Sequence, residues 1–186
     1  MVVAATGFFD GVHLGHRLVI ETLVAAAKER GGESLVLTFW PHPRTVLSQD
    51  GGIRLLTSLE EKTEILKSLG VDRVETLEFT REFASMKAEQ YVREILIGRF
   101  GVGAVVLGYD TRMGADQLGP DAIERLCVSL GLEVIRCAPV SCSEAGLDRE
   151  GEISSSKIRT AIAEGRLKDA EIMLGKCSSC SSGDPR

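Results

Sequence analysis

Short apolar, β-prone runs alternate along this chain with segments whose apolar residues recur every three to four positions. The runs are VVAAT (2–6), SLVLTF (34–39), RVETLEF (73–79), AVVLG (104–108) and LEVIRCAPV (132–140). Between them, Val19, Leu23, Ala26 and Ala27, then Ala88, Val92, Ile95 and Leu96, then Ile123, Leu126, Cys127 and Leu130 each put an apolar stripe along one side of a helix. TSLEEK, ahead of Ile65, Leu66 and Leu69, offers two capping boxes, Thr57 with Glu60 or Ser58 with Glu61. Because the strands read as nearly continuous apolar runs, the pattern predicts an α/β fold: a five-stranded parallel sheet with helices on both faces. Right-handed crossovers that wind outward from strand one and then resume on its other side give the order 3-2-1-4-5. The ligand crevice then falls at the carboxyl ends of strands one and four, where TGFFDGVHLGH and GYDTRMG stand.

Beyond strand five the pattern changes. SCSEAGLDREGE predicts a surface hairpin or flap, and ISSSKIRTAIAEG a short helix with Ile158, Ala161 and Ile162 inward, Ser155 or Ser156 as N-cap and Gly165 as its stop. RLKDAEIMLG supplies one more helical segment. CSSCSSGDPR has no apolar period, so the expectation is one domain over 1–176 and a disordered tail over 177–186.

Composition narrows the class. A chain of 186 residues, 44% hydrophobic and 26% charged, can bury the core of a single domain. No apolar run approaches the roughly 20 residues that cross a bilayer, and the first residues have neither a basic leader nor an apolar signal core, so a cytoplasmic protein is expected, with no membrane partner. A net charge of −5 argues against a nucleic-acid partner held by electrostatics and makes any phosphate site local. Five cysteines without secretory context predict reduced thiols, and the Cys177/Cys180 pair lacks the second ligand pair of a zinc site.

The candidate chemistry gathers at the predicted crevice. A glycine turn leaving strand one lets backbone amides approach a phosphate, and the following helix turns its positive end to the same anion. His13 and His16, three apart in the first turn, would project together as donors to phosphate oxygens, with Gly15 leaving room for the ligand. The plainer alternative is two polar helix-start residues, and zinc lacks a third ligand. In ISSSKIR, serine hydroxyls and free amides meet Lys157 and Arg159, and the planar fork of Arg159 suits a phosphate clamp. Trp40, Pro41, His42, Pro43 and Arg44 form a stiff loop suited to a planar anionic substrate, or else a surface turn with Trp40 in the core. Asp110 would position substrate or hydrated magnesium, or shape a turn, and Arg112 would face phosphate.

In this order and spacing, GFFDGVHLGHR, TFWPHPR, LLTSLEEK, GYDTRMG and ISSSKIRTAIAEG resemble the FMN adenylyltransferase module of bacterial bifunctional riboflavin kinase/FMN adenylyltransferases, the FAD synthetases, from about Val3 to Gly175. The resemblance implies a Rossmann-like nucleotidylyltransferase fold and the reaction of ATP and FMN to FAD and pyrophosphate, with magnesium accompanying ATP and no metal site of protein ligands. By motif it assigns ATP binding to Gly7, Phe8, Asp10, His13, His16, Ser155, Ser156 and Arg159, and catalysis to His13, His16 and Arg159. FMN binding falls to Pro41, His42, Pro43, Arg44, Asp110 and Arg112. Phe8 stands where many members carry asparagine, near the expected phosphates. The resemblance ends where the family's kinase module begins, so a separate riboflavin kinase is the expected source of FMN. Two alternatives stay open: another phosphate acceptor on the same fold, and a flavin-nucleotide-binding regulatory protein without activity.

Overall fold

In the computed structural model, which describes residues 1–47 and 54–176, five parallel strands form one sheet. In chain order the elements are β1 (Val2–Thr6), α1 (Leu14–Glu29), β2 (Glu33–Trp40), α2 (Pro43–Leu47), α3 (Leu59–Ser68), β3 (Arg73–Glu78), α4 (Arg81–Ala84) and α5 (Ala88–Gln90). After α5 come a π-helical stretch (Tyr91–Arg99), β4 (Val102–Leu107), α6 (Pro120–Ser129), β5 (Glu133–Arg136), α7 (Ser155–Ala163) and α8 (Leu167–Met173). The strand order is β3-β2-β1-β4-β5, as the crossover argument requires, with β1 at the centre and the reversal between β1 and β4. Residues 177–186, and with them the expected tail and the Cys177/Cys180 pair, lie outside the described residues.

Both faces of the sheet are covered, which is why the strands read as unbroken apolar runs. Val3, Ala5, Val36 and Val106 pack under α1 and α3, against Ile20, Leu23 and Leu66. Ala4, Leu35, Leu37, Val105 and Leu107 pack on the other face, against Val92, Leu96, Ile123 and Cys127. A third cluster, Cys142, Ile153, Ile158, Ala161 and Met173, seats α7 and α8 beside the sheet.

The structure adjusts several expected boundaries. The stripe containing Val92 and Leu96 is buried as expected, but from Tyr91 onward the helix is π and not α. Strand five ends at Arg136, short of the predicted run; Cys137 N still donates to Leu107 O at 2.9 Å, whereas Pro139 has no amide to continue a ladder. Of the two capping boxes, Ser58 with Glu61 forms in full, each side chain accepting from the other's backbone amide. The expected flap is present, closed by an antiparallel bridge between Ser141 and Glu152. Cys127, Cys137 and Cys142 are buried free thiols.

Candidate active site

The carboxyl ends of β1 and β4 open into a cleft of about 610 Å³. Its lining includes Gly7, Phe8, Asp10, His13 and His16 after β1, Asp110 and Arg112 after β4, and Ser154, Ser155, Ser156 and Arg159 from the start of α7. Segments up to about 150 residues apart in sequence thus meet at the predicted switch point.

The turn from β1 into α1 is held in a conformation that most side chains avoid. Phe9 (φ 50°), Gly11 (φ 81°) and Val12 (φ 42°) all lie in the left-handed region, which for a β-branched residue such as Val12 is a true outlier. Burial of Phe9 and Val12 keeps it there, as do bonds from outside the turn: Gly11 N donates to Thr57 Oγ1 at 3.1 Å. Asp10 is the hub. Its Oδ1 accepts from Leu56 N (2.9 Å) and Thr57 N (3.3 Å), its Oδ2 is paired with Arg159, and its backbone oxygen accepts from Ser155 Oγ at 2.9 Å. One buried carboxylate therefore fastens the turn to the segment before α3 and to α7.

His13 is the N-cap of α1: its Nδ1 accepts from His16 N at 3.3 Å. A nitrogen that accepts carries no proton, so neutral His13 holds its hydrogen on Nε2. The two imidazoles stack, centroids 3.6 Å apart and planes within 17°. Gly15 lines the cleft and also makes room for the His13 ring, since a Cβ there would stand 3.2 Å from Cε1 of that ring. Burial outweighs the pull of Asp10 and lowers the His13 pKa from 6.5 to about 4. His16 is lowered as well, by burial first and then by His13 and Lys62, and its buried Nδ1 has no hydrogen-bond partner among the described residues. Both rings are therefore neutral at pH 7, donors of hydrogen bonds without positive charge.

Around ISSSKIR the assignments shift by one residue. The α7 N-cap is Ser154, whose side chain accepts from Lys157 N, while the expected caps Ser155 and Ser156 fall inside the helix and line the cleft; Ser155 Oγ is already engaged with Asp10. Lys157 turns to Glu150 O on the flap (3.1 Å). Arg159 Nε donates to Arg54 O at 2.9 Å, and its Nη2 pairs with Asp10.

The opposite wall is aromatic. Phe8 does not point at His13 or His16: its ring lies 5.0 Å from Phe39, 5.1 Å from His42 and 5.8 Å from Phe79, and Phe83 and Tyr91 extend the cluster. Alternation along the chain turns the Phe8 side chain to the aromatic wall and puts its carbonyl at the turn. His42 and Pro43 line the cleft, whereas Pro41 is not among its lining residues and Arg44 lies within α2. Trp40 is half exposed beside a smaller recess, neither in the core nor in the cleft. Asp110 and Arg112 stand exposed on the rim.

Sequence reasoning gave no role at the site to Lys62, Thr57 or Tyr91. Lys62 Nζ donates to Phe8 O and to Thr38 Oγ1, both at 2.9 Å, and Tyr91 OH meets Thr6 Oγ1 at 2.8 Å at the mouth of β1. The available signal was a lysine one turn before Leu66 on the inward face of α3. No group of three or more His, Cys, Asp or Glu is arranged to hold a metal among the described residues.

Comparison with known proteins agrees with this geometry. The FAD synthetase family profile matches residues 1–156. The chain belongs to the FAD synthetase family. It is 38% identical over 93% of its length to a bifunctional riboflavin kinase/FMN adenylyltransferase of Listeria monocytogenes, and 35% identical over 94% to that of Bacillus subtilis. It spans about half of those curated relatives, 53% of each. The crystal structure of a Streptococcus pneumoniae protein named macrolide-efflux protein matches with TM-score 0.82 and 28% identity, over 94% of this chain and 55% of that one. No helix among the described residues is long and apolar enough to cross a membrane.

Proposed function

We propose that this FAD synthetase family member transfers the adenylyl group of ATP to FMN, giving FAD and pyrophosphate. The observation that carries the reading is a single cleft with two chemically different ends. One has the N-terminus of α1, a neutral histidine pair and the start of α7; the other is an aromatic wall broad enough for a fused ring system. ATP would lie along the first end, over Gly7, Asp10, Ser155 and Ser156. The isoalloxazine would lie against Phe8, Phe39 and Phe79 beside His42 and Pro43, in the segment that also carries Pro41 and Arg44. Arg112, on the rim, would meet the FMN phosphate.

In the reaction an FMN phosphate oxygen attacks the α-phosphorus of ATP in line; the new P–O bond forms as the bond to the β-phosphate oxygen breaks, and pyrophosphate leaves. No side chain need act as nucleophile, so the protein's work is alignment and stabilisation of charge. His13 Nε2–H and His16 would donate to oxygens that gain charge, and their neutrality spares the cost of a buried imidazolium. Arg159 would supply the positive charge, exchanging part of its contact with Asp10 and Arg54 for phosphate. When bound with the nucleotide, magnesium would neutralise charge on the leaving phosphates. The carboxylate of Asp110 suits an ion that keeps most of its water, while Asp10, already accepting three bonds, does not. FMN would come from a riboflavin kinase activity, the other one in the relatives' names.

The ring of Phe8 lies against the aromatic wall and away from His13 and His16, which weighs against an inactive binding protein. The test is pyrophosphate release with ATP and magnesium, comparing FMN, riboflavin and no acceptor, with flavins separated chromatographically. FAD formed from FMN alone supports the reading; flavin binding without pyrophosphate release sinks it.

A further inference from the structure

Lys62 is the one buried lysine among the described residues, 5% exposed, and it sits where helix periodicity calls for an apolar side chain. No carboxylate lies within salt-bridge distance of its ammonium among those residues. Burial brings its pKa from 10.5 down to about 8, with the charge of Asp10 opposing. A buried cation without a direct counterion costs stability, and such costs are retained where another requirement overrides packing. Its contacts identify that requirement. The ammonium, Thr38 Oγ1 and Phe8 O form a closed set of hydrogen bonds, Thr38 Oγ1 also donating to Phe8 O at 3.3 Å. Phe8 O is the last backbone acceptor before the left-handed residues 9, 11 and 12, and a backbone in that conformation persists only when its surroundings over-determine it. The same cation stands close enough to act on the His16 ring electrostatically.

We infer that Lys62 is a positioning residue for adenylyl transfer: from behind the cleft its ammonium fixes the Phe8 carbonyl, and thereby the strained turn that sets His13 and His16 against the triphosphate. The inference rests on the adenylyltransferase reading only for the identity of the acceptor. Its effect falls on the triphosphate end and leaves the aromatic wall alone.

Lys62→Met keeps the length of the side chain and deletes the donor. Three quantities are measured on wild type and variant: the unfolding temperature, calorimetric affinity for α,β-methylene-ATP with magnesium, and kcat and KM for FAD formation. The expected result is an unfolding temperature at or above wild type, with about tenfold weaker analogue binding and a kcat reduced about tenfold or more, as for a lost charged hydrogen bond. The KM for FMN stays within twofold, and Lys62→Arg recovers most of the analogue affinity. Analogue affinity and kcat within twofold of wild type in a folded Lys62→Met overturn the inference, as does a loss of thermal stability that moves every parameter together. Thr38→Val opens the same hydrogen-bonded set without touching the lysine; should Lys62→Met not fold, unchanged analogue affinity in Thr38→Val overturns it instead. A wild type that binds the analogue yet makes no FAD refutes the acceptor, while Lys62 is still judged on the analogue.

Discussion

Replacing His13 with asparagine separates its two tasks, capping α1 and donating from Nε2. Asparagine is among the best N-caps, so the bond from His16 N is kept, whereas alanine forfeits it at about 1 kcal/mol. The pH dependence follows from the buried ring. His13 is 6% exposed and its pKa is lowered to about 4 from 6.5. Between those values the unfolded chain binds a proton at this site and the folded chain does not, so stability falls as pH falls. The contribution is intact above pH 6.5 and runs out below 4. Integrating that difference gives about 2 kcal/mol of stability lost from pH 7.5 to pH 5, and about 3 kcal/mol once the pH is below both values. His13→Asn lacks this titration. Urea unfolding of both proteins across that range, with slopes checked for constancy, should show the two stability curves starting together at pH 7.5 and separating by about 2 kcal/mol at pH 5, wild type the less stable. Curves that stay parallel would refute the buried, neutral imidazole. At pH 7.5 His13→Asn should fold as wild type does and lose about 100-fold or more in kcat, the range for a lost transition-state donor.

Other perturbations read the remaining parts of the site. Asp10→Ala strands Arg159 and two amides at once, and should cost about 3 to 5 kcal/mol in urea unfolding, as for one partner removed from a buried pair. Arg159→Lys has one ammonium for the two directions that Nε and Nη2 now serve, so kcat/KM for ATP should fall about tenfold or more in steady-state assays while the KM for FMN holds. Phe83→Ala thins the aromatic wall and should raise the KM for FMN several-fold with the KM for ATP unchanged. Ser58→Ala removes the capping box of α3 and should cost about 1 kcal/mol in thermal or urea unfolding, outside the cleft.

What sequence could reveal here followed from periodicity and from local chemistry. The strand order and the crevice between β1 and β4 came from apolar runs and crossover handedness, and glycine-bracketed histidines marked the end proposed to take the triphosphate. What it missed depended on long-range contacts. Phe8 was read as a neighbour of phosphate because many family members carry asparagine at its position, yet alternation turns its ring to Phe39 and His42. Ser155 was read as a cap because serines cap helices, yet its hydroxyl is claimed by Asp10, 145 residues away, and the cap passes to Ser154. The histidines were read as donors to phosphate oxygens, but their charge state depends on burial, and burial leaves both rings neutral.

Five polar residues are buried among those described, and their distribution is itself informative. Ser34 serves Asp72 at the far end of β2, while Asp10, His13, Thr38 and Lys62 all lie around the turn after β1. In a core assembled for stability alone, buried polar groups are scattered and each satisfied locally. Here a carboxylate, a lysine, an imidazole and a hydroxyl converge on one strained loop, and the imidazole and lysine are held at pKa values that burial makes unfavourable for their charged forms. The fold bears that cost at the end of the cleft proposed to take the triphosphate. Preorganisation is the requirement that explains both the cost and its location: donors fixed before the substrate arrives need no reorientation as charge develops. The same logic predicts which end tolerates change. Substitutions in the wall should alter the choice and affinity of the acceptor, while substitutions among the four buried polar residues should reach the chemical step.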